Sequence, residues 1–156
     1  MTGADAGGAT TEHATAIVVG QTGLLFIGAS GAGKSSTAFA CLNAAIRRGW
    51  NAALIADDRT RLNAHSGRLI ASCPAPLRGL IEIRGTGLLR MRRLDRAVMH
   101  LAVAPGEPSA DSRLPAESET FAHQGTELPL LRLWRNGAVD PLSALCALRP
   151  DCFFGN

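Results

Sequence analysis

Apolar positions near the N-terminus form two strand-sized runs followed by one helix-sized segment. Thr15–Val19 is rich in β-branched residues, Leu24–Ile27 is a second apolar run, and Gly20-Gln21-Thr22-Gly23 between them is typical of a tight turn. This pattern predicts a hairpin. After a glycine-rich stretch, apolar residues recur at helical spacing at Ala38, Cys41, Leu42, Ala45 and Ile46, and the basic pair before Gly49 is typical of a helix end.

The rest of the chain continues in short apolar segments. These predict strands or hairpins at Ala52–Ala56, Arg61–Ile70 with its turn at Ser66-Gly67, Val98–Val103 and Leu128–Leu133. Leu80–Leu89 is a short segment punctuated by glycines that carries Glu82 and Arg84. We predict a surface loop over Pro105–Glu119, which is rich in proline, serine and acids, and a final helix starting at Asp140-Pro141. With no internal repeat or linker, the pattern predicts one mixed α/β domain over residues 13–156, after a flexible arm over residues 1–12.

Composition narrows the class of protein. The chain has 156 residues, of which 46% are hydrophobic and 19% charged, which is typical of one globular domain. No apolar run approaches the length of a membrane span, and the acidic N-terminus does not resemble a signal peptide. The four cysteines form no C-x-x-C pair, so we expect reduced thiols in a cytoplasmic protein.

The basic residues are distributed unevenly between lysine and arginine. The formal net charge is +3, and Lys34 is the only lysine among 16 basic residues. This charge permits an anionic partner but does not require nucleic acid. Arginines cluster over residues 90–96, but no aromatic residues interleave with them, so the sequence does not favour binding of single-stranded nucleic acid.

The single lysine lies in a phosphate-binding motif. The stretch that follows Leu24–Ile27 fits G-x-x-x-x-G-K-[ST] at every fixed position, and its residues are Gly28, Ala29, Ser30, Gly31, Ala32, Gly33, Lys34 and Ser35. Glycines let backbone N–H groups approach phosphate oxygens, and the following helix directs its positive dipole end at the same anion. We therefore predict a P-loop in which Lys34 neutralises the outer phosphates of a nucleotide and the Ser35 hydroxyl binds Mg²⁺.

Two carboxylates end the apolar strand that follows the P-loop helix. Asp57 and Asp58 come directly after Ala52–Ala56, and in an open parallel sheet such strand ends gather beside the phosphate site. One aspartate can then hold Mg²⁺ through water, a role we expect for Asp57, while the other accepts a proton from an attacking hydroxyl.

These motifs together resemble a known family. His13, the P-loop, Ala56-Asp57-Asp58 and the Glu-Ile-Arg-Gly-x-Gly segment within Leu80–Leu89 look like the catalytic domain of HPr kinase/phosphorylase, from about His13 to Pro129. The resemblance implies a phosphoenolpyruvate-carboxykinase-like P-loop kinase fold with a mixed central sheet. It also implies an ATP- and Mg²⁺-dependent kinase that phosphorylates a serine of the phosphocarrier HPr. The short forms of alphaproteobacteria, which consist of this domain alone, look similar, and the family is typically hexameric.

The resemblance also implies roles for individual residues. It matches Lys34 and Ser35 to the nucleotide lysine and the Mg²⁺-binding serine, Asp58 to the base for phosphorylation, Glu82 to a second Mg²⁺ ligand, His13 to an active-site histidine and Arg113 to a catalytic arginine. Arg84 is a further candidate for stabilising the transferring group.

Each of these residues also has a plain structural interpretation. His13 could be a strand-entry or core histidine, Glu82 a surface acid, Arg84 part of a surface ion pair, and Arg113 a solvated loop residue. The basic run over residues 90–96 contacts an acidic surface of the carrier or is simply solvated.

The chain departs from the family pattern in three places. Ser36 stands where the family usually has an acid, and the stretch from Lys34 to Asp58 is longer than usual. Leu133-Trp134-Arg135-Asn136-Gly137 stands near the place of the family's Pro-x-Arg-Pro-Gly-Arg region, which is tied to dephosphorylation. The kinase hypothesis is compatible with all three. The third departure weakens the further hypothesis that the chain also dephosphorylates HPr by phosphorolysis. The alternatives are a P-loop kinase for a small metabolite and a nucleotide-sensing regulator without catalysis.

Overall fold

The computed structural model describes residues 8–107, 119–134, 137 and 139–155. The strands are β1 Thr10–Glu12, β2 Ala14–Val19, β3 Thr22–Ile27, β4 Ala52–Ala56, β5 Thr60–His65, β6 Arg68–Ser72, β7 Leu80–Ile83, β8 Gly87–Arg90, β9 Arg96–Met99, β10 Leu101–Gly106, β11 Thr120–His123 and β12 Thr126–Trp134. The helices are α1 Lys34–Arg47, α2 Pro141–Leu148 and α3 Pro150–Phe154, with a 3-10 turn at Ala75–Leu77.

A six-stranded mixed sheet forms the centre of the domain. Its strand order is β11-β12-β10-β3-β2-β4. β3, β10 and β12 run parallel, whereas β2 runs antiparallel to both of its neighbours, β3 and β4. Because β2 lies between them and opposes both, β3 and β4 point the same way and end at the same edge of the sheet.

Apolar side chains cover both faces of this sheet. On one face, α1 and α2 pack over alternate strand residues, including Ile17, Leu24, Phe26, Leu54 and Val103. On the other face lies a second sheet of order β1-β5-β6-β9, whose buried residues include Leu62, Leu69 and Met99. The period-2 alternation of the strands thus builds three layers, helices on sheet on sheet. The β7–β8 hairpin is a separate two-stranded unit.

The structure confirms most of the predicted local elements. The first hairpin is β2–β3, and the second is β5–β6 with left-handed backbone at Ser66 and Gly67. Asp140 caps α2 by accepting hydrogen bonds from the backbone N–H groups of Leu142 and Ser143. α1 is present and buries its predicted face except for Ile46, which is 55% exposed.

The single strand predicted at Val98–Val103 is wrong. The chain divides at His100 into β9, which joins the second sheet, and β10, which joins the central sheet. At this crossing, the Gly23 N–H donates to His100 Nδ1 at 2.9 Å, and the His100 N–H donates to the Gly23 carbonyl at 2.8 Å. A continuous apolar run therefore serves two sheets.

Four short strands were absent from the predictions, namely β1, β11 and the two strands of the separate hairpin, β7 and β8. β1 pairs antiparallel with β5 and lies at the end of the segment predicted as a flexible arm. β11 pairs antiparallel with β12 directly after the predicted surface loop. The first residues of that loop, Pro105 and Gly106, instead complete β10, and residues 108–118 lie outside the described residues.

The four cysteines are free thiols. Burial raises the pKa of the Cys41 thiol to about 12. Among the described residues, no helix combines the length and hydrophobicity needed to cross a membrane.

Candidate active site

A cleft of about 230 Å³ opens at the shared edge where β3 and β4 end. P-loop residues form one wall, and the aspartates after β4 and the β7–β8 hairpin form the rest. Its lining consists of Ser30, Gly31, Gly33, Lys34, Ser35, Ser36, Asp57, Asp58, Glu82 and Arg84. The fold brings Lys34 and Ser35 of the P-loop together with Asp57, Asp58 and Glu82. Gly28, Ala29, Ala32 and His13 are not among the lining residues.

The P-loop between β3 and α1 has a backbone conformation suited to binding an anion. Gly28, Gly31 and Gly33 have φ values of 138°, 84° and 98°, which favour glycine over residues with a Cβ. No side chain caps the N-terminus of α1, so its first turn is open to an acceptor from the cleft. The Ala32 N–H donates to the Ala29 carbonyl at 3.1 Å and closes the loop.

Lys34 lies within this loop rather than on the surface. Its side chain is buried, with the residue only 6% exposed, and its ammonium donates to the carbonyls of Gly28 at 2.8 Å and Ala29 at 3.0 Å. An ammonium has three protons and no acceptor, so one donor is left to face the cleft. Lys34 is thus placed to neutralise an anion held by the loop.

Asp57 is held from three sides. The Ser35 hydroxyl donates to Asp57 Oδ1 at 2.5 Å, and the Thr15 hydroxyl donates to the same oxygen at 2.9 Å. The Glu82 N–H donates to Asp57 Oδ2 at 2.9 Å. These contacts fix the orientation of the carboxylate and tie the P-loop helix, β2 and β7 to one side chain.

Asp58 has different surroundings although it is the next residue. Its backbone is left-handed with φ 63°, a conformation that aspartate tolerates, and its N–H donates to Thr15 Oγ1 at 3.3 Å. Its side chain is 62% exposed, and Oδ1 lies 3.8 Å from His13 Nδ1. The Asp58 carboxylate is therefore accessible to a protein hydroxyl that approaches the cleft.

The structure excludes the core interpretation of His13 and places the residue directly before β2, as the strand-entry interpretation expects. The imidazole is 82% exposed and contacts Asp58, so His13 is not a core histidine. It stands between β1 and β2 at the mouth of the cleft.

Glu82 and Arg84 reach the cleft from the β7–β8 hairpin. Glu82 lines the cleft and fixes Asp57 through its backbone N–H. Arg84 Nη2 lies 3.8 Å from the position that a Cβ on Gly31 would occupy, so the guanidinium rests against the P-loop. Arg113 lies outside the described residues.

Thr15 is the site residue that the sequence analysis missed. It is completely buried in β2, yet its hydroxyl contacts both aspartates. The only sequence signal was a hydroxyl group in an otherwise apolar β-branched run, and such a threonine is usually just part of a strand.

The residues present fit a nucleotide with a divalent cation. The open helix N-terminus and Lys34 suit phosphate oxygens, and the hard oxygen atoms of Ser35 and Asp57 suit Mg²⁺. Within the described part of the chain, no group of three or more histidine, cysteine, aspartate or glutamate side chains is arranged to hold a metal by itself. This agrees with the preference of Mg²⁺ for one or two carboxylates together with water and substrate phosphates.

Comparison with known proteins identifies relatives. The model of the family described as HPr Serine kinase C-terminal domain matches residues 6–98, more than half of the chain. An HPr kinase/phosphorylase of Brevibacillus brevis is 30% identical over 145 residues, covering 83% of this chain and 45% of that protein. One from Geobacillus kaustophilus is 32% identical over 136 residues, covering 80% of this chain and 42% of that protein. The chain spans less than half the length of these curated relatives.

The fold has a solved counterpart. The structure of the Hpr(Ser) kinase/phosphatase from Coxiella burnetii matches with a TM-score of 0.71 at 24% sequence identity, covering 91% of this chain and 99% of that one. The likeness shows that the α/β architecture with mixed sheets is shared.

Proposed function

The chain belongs to the HPr serine kinase C-terminal domain family, and from that premise we propose that it is an ATP-dependent kinase that phosphorylates a serine of an HPr-type phosphocarrier protein. One observation carries the proposal beyond family membership. One cleft is lined by the buried Lys34 of the P-loop, the hydrogen-bonded pair Ser35 and Asp57, and the exposed carboxylate of Asp58.

Each side chain has a part that its surroundings support. The P-loop N–H groups and Lys34 bind the outer phosphates, while Ser35 and Asp57, with Glu82 beside them, hold the cation. When bound, Mg²⁺-ATP supplies the phosphoryl group and the divalent charge that offsets its oxygens.

Asp58 acts as the general base. It takes the proton of the incoming serine hydroxyl as that oxygen attacks phosphorus, and the bond from phosphorus to the ADP oxygen breaks on the opposite side. His13 at 3.8 Å orients the Asp58 carboxylate, and Arg84 stabilises negative charge beside the P-loop. Arg113 remains part of the proposal on the sequence resemblance alone.

We also propose a localisation, an oligomeric state and a range of partners for the protein. We place it in the cytoplasm as a homo-oligomer, a hexamer by the family resemblance, with no nucleic-acid partner and of the alphaproteobacterial type. The reverse reaction is not included, because the sequence around Leu133–Gly137 departs from the segment linked to dephosphorylation.

The proposal is tested by following the γ-phosphate of labelled ATP. The purified chain is incubated with Mg²⁺-ATP and an HPr-type carrier, and label on the carrier is measured beside Lys34→Ala and Lys34→Arg. We expect transfer by the wild type and a loss of about 100-fold or more for both variants, because an arginine fork cannot replace a point charge enclosed by the loop. Nucleotide binding without transfer to the carrier would favour the regulator hypothesis and contradict the proposal.

A further inference from the structure

We propose that Thr15 is a positioning residue that couples the cation-holding Asp57 to the proton-accepting Asp58, a role that rests on the proposed kinase function. Neither family membership nor the motifs that carry the resemblance assign a role to Thr15. The buried hydroxyl of Thr15 contacts both aspartates from the neighbouring strand β2.

The direction of the two hydrogen bonds is determined by simple counting. A threonine hydroxyl has one proton to donate and two lone pairs that accept. The Asp58 backbone N–H can only donate, so it uses a lone pair of Thr15 Oγ1 at 3.3 Å. The single hydroxyl proton is then directed to Asp57 Oδ1 at 2.9 Å. One side chain thus serves as acceptor for one aspartate and donor for the other.

The strand register explains why Thr15 faces this position. β2 and β4 pair as Ile17 with Leu54 and as Ala16 with Ala56, so Ile55 is an extra residue in β4. Such a bulge redirects the side chains that follow it. Continuing the register beyond Ala16–Ala56 brings Thr15 opposite Asp57, on the face of the sheet that carries the P-loop helix.

The hydroxyl therefore fixes what each aspartate does. It orients Asp57 toward Ser35, and it anchors the left-handed backbone from which the Asp58 side chain extends to the mouth of the cleft. Removing the hydroxyl leaves the Asp58 N–H without this acceptor and Asp57 Oδ1 with one donor fewer. Both carboxylates then lose orientation, although neither is changed chemically.

The test compares Thr15→Val, which removes the hydroxyl at nearly constant volume, with Thr15→Ser, which keeps it. Thr60→Val is the matched control, because Thr60 is equally buried and its hydroxyl donates to the Ala14 carbonyl at 2.7 Å instead of to an aspartate. Thr15→Ala provides a second variant without the hydroxyl should the valine variant fail to fold.

In the transfer assay we expect Thr15→Val to lower kcat by about 10- to 100-fold, the usual cost of losing an orienting partner, with a smaller change in KM for ATP. Thr15→Ser restores most of kcat, and Thr60→Val leaves both constants close to wild type. Three results would overturn the proposal: an equal loss of kcat in Thr60→Val, a kcat that Thr15→Ser does not restore, or a kcat of Thr15→Val equal to that of the wild type.

A binding measurement separates this inference from the kinase proposal. The affinity for a non-hydrolysable ATP analogue is measured while Mg²⁺ is titrated. Thr15→Val is expected to need several-fold more Mg²⁺ than wild type or Thr60→Val, even if the wild type transfers no phosphate to the carrier. If the Mg²⁺ dependence of Thr15→Val equals that of the wild type, the positioning role is wrong whatever the carrier assay shows.

Discussion

Asp57 and Asp58 are adjacent in the sequence and both contact Thr15, but the surroundings of their carboxylates differ. Asp57 accepts three hydrogen bonds and is fixed between α1, β2 and β7, whereas Asp58 has an exposed carboxylate with His13 beside it. A fixed carboxylate suits a cation, and an accessible one suits proton transfer. These surroundings support the proposed division of roles between Asp57 and Asp58.

Asp58→Asn is expected to abolish phosphate transfer while ATP binding stays close to wild type. The amide keeps the shape of the side chain but cannot take a proton, and loss of a general base costs about 10²- to 10⁴-fold in rate. Single-turnover transfer and calorimetric binding of an ATP analogue measure the two effects. Asp57→Asn serves as the contrasting variant and should weaken Mg²⁺-dependent binding. A loss of ATP binding in Asp58→Asn would show that its role is structural.

At the scale of elements, local sequence patterns predicted several strands and the first helix correctly. The short apolar runs predicted β2, β3 and β4, and the helical spacing predicted α1. The P-loop with Asp57 and Asp58 predicted where the cleft forms. The β9–β10 crossing at His100 could not be predicted, because one apolar run looks the same whether it serves one sheet or two. The site role of Thr15 likewise depends on the bulge in β4. This bulge lies in the pairing of β4 with β2, a strand far from it in the sequence.

The sheet order shows a second limit of local patterns. The sequence predicted that strand ends gather as in a parallel sheet, and they do meet, but only because the antiparallel β2 lies between β3 and β4. Which strand lies between two others depends on long-range pairing. The strands β1 and β11 are also short and largely exposed, so they leave a weak hydrophobic pattern.

Gly23→Ala should strongly destabilise the packing of β3 against β9. A Cβ on Gly23 would lie 2.0 Å from the Val98 carbonyl oxygen, which belongs to the backbone and cannot turn away. Overpacking of this kind costs about 1–3 kcal/mol or more of the free energy of unfolding. Chemical denaturation measures it, with Gly106→Ala as control because a Cβ there meets nothing within 4 Å. Equal stability of the two variants would mean that β3 and β9 do not approach this closely.

At the scale of the whole molecule, the three-layer packing leaves a cleft at one edge of the central sheet. The P-loop and the aspartates occupy the edge where β3 and β4 end, while His100 lies where the chain passes between the sheets. Burial, aided by the positive charge of Arg68, lowers the pKa of His100 below its ordinary value of 6.5. The imidazole is thus neutral in the folded protein and accepts the Gly23 N–H.

This lowered pKa predicts a dependence of stability on pH. Above the ordinary histidine pKa neither state binds the proton, so the full contribution of His100 to stability is present. As the pH falls below 6.5 toward the folded-state pKa, the unfolded chain binds the proton first, and stability is lost. His100→Asn, which keeps an acceptor for the Gly23 N–H, should lose less stability than wild type between pH 7 and pH 5. Thermal melting at several pH values measures the difference, and parallel curves for the two proteins would rule out this role for His100.

The identity of the carrier residue that receives phosphate tests the proposed serine kinase activity. After incubation with Mg²⁺-ATP, the HPr-type carrier is digested and sequenced by tandem mass spectrometry, with the Asp58→Asn protein run in parallel. We expect one acid-stable phosphate on a serine of the carrier, made by the wild type and absent with Asp58→Asn. Phosphate on a histidine, release of inorganic phosphate alone, or equal labelling by Asp58→Asn would contradict it.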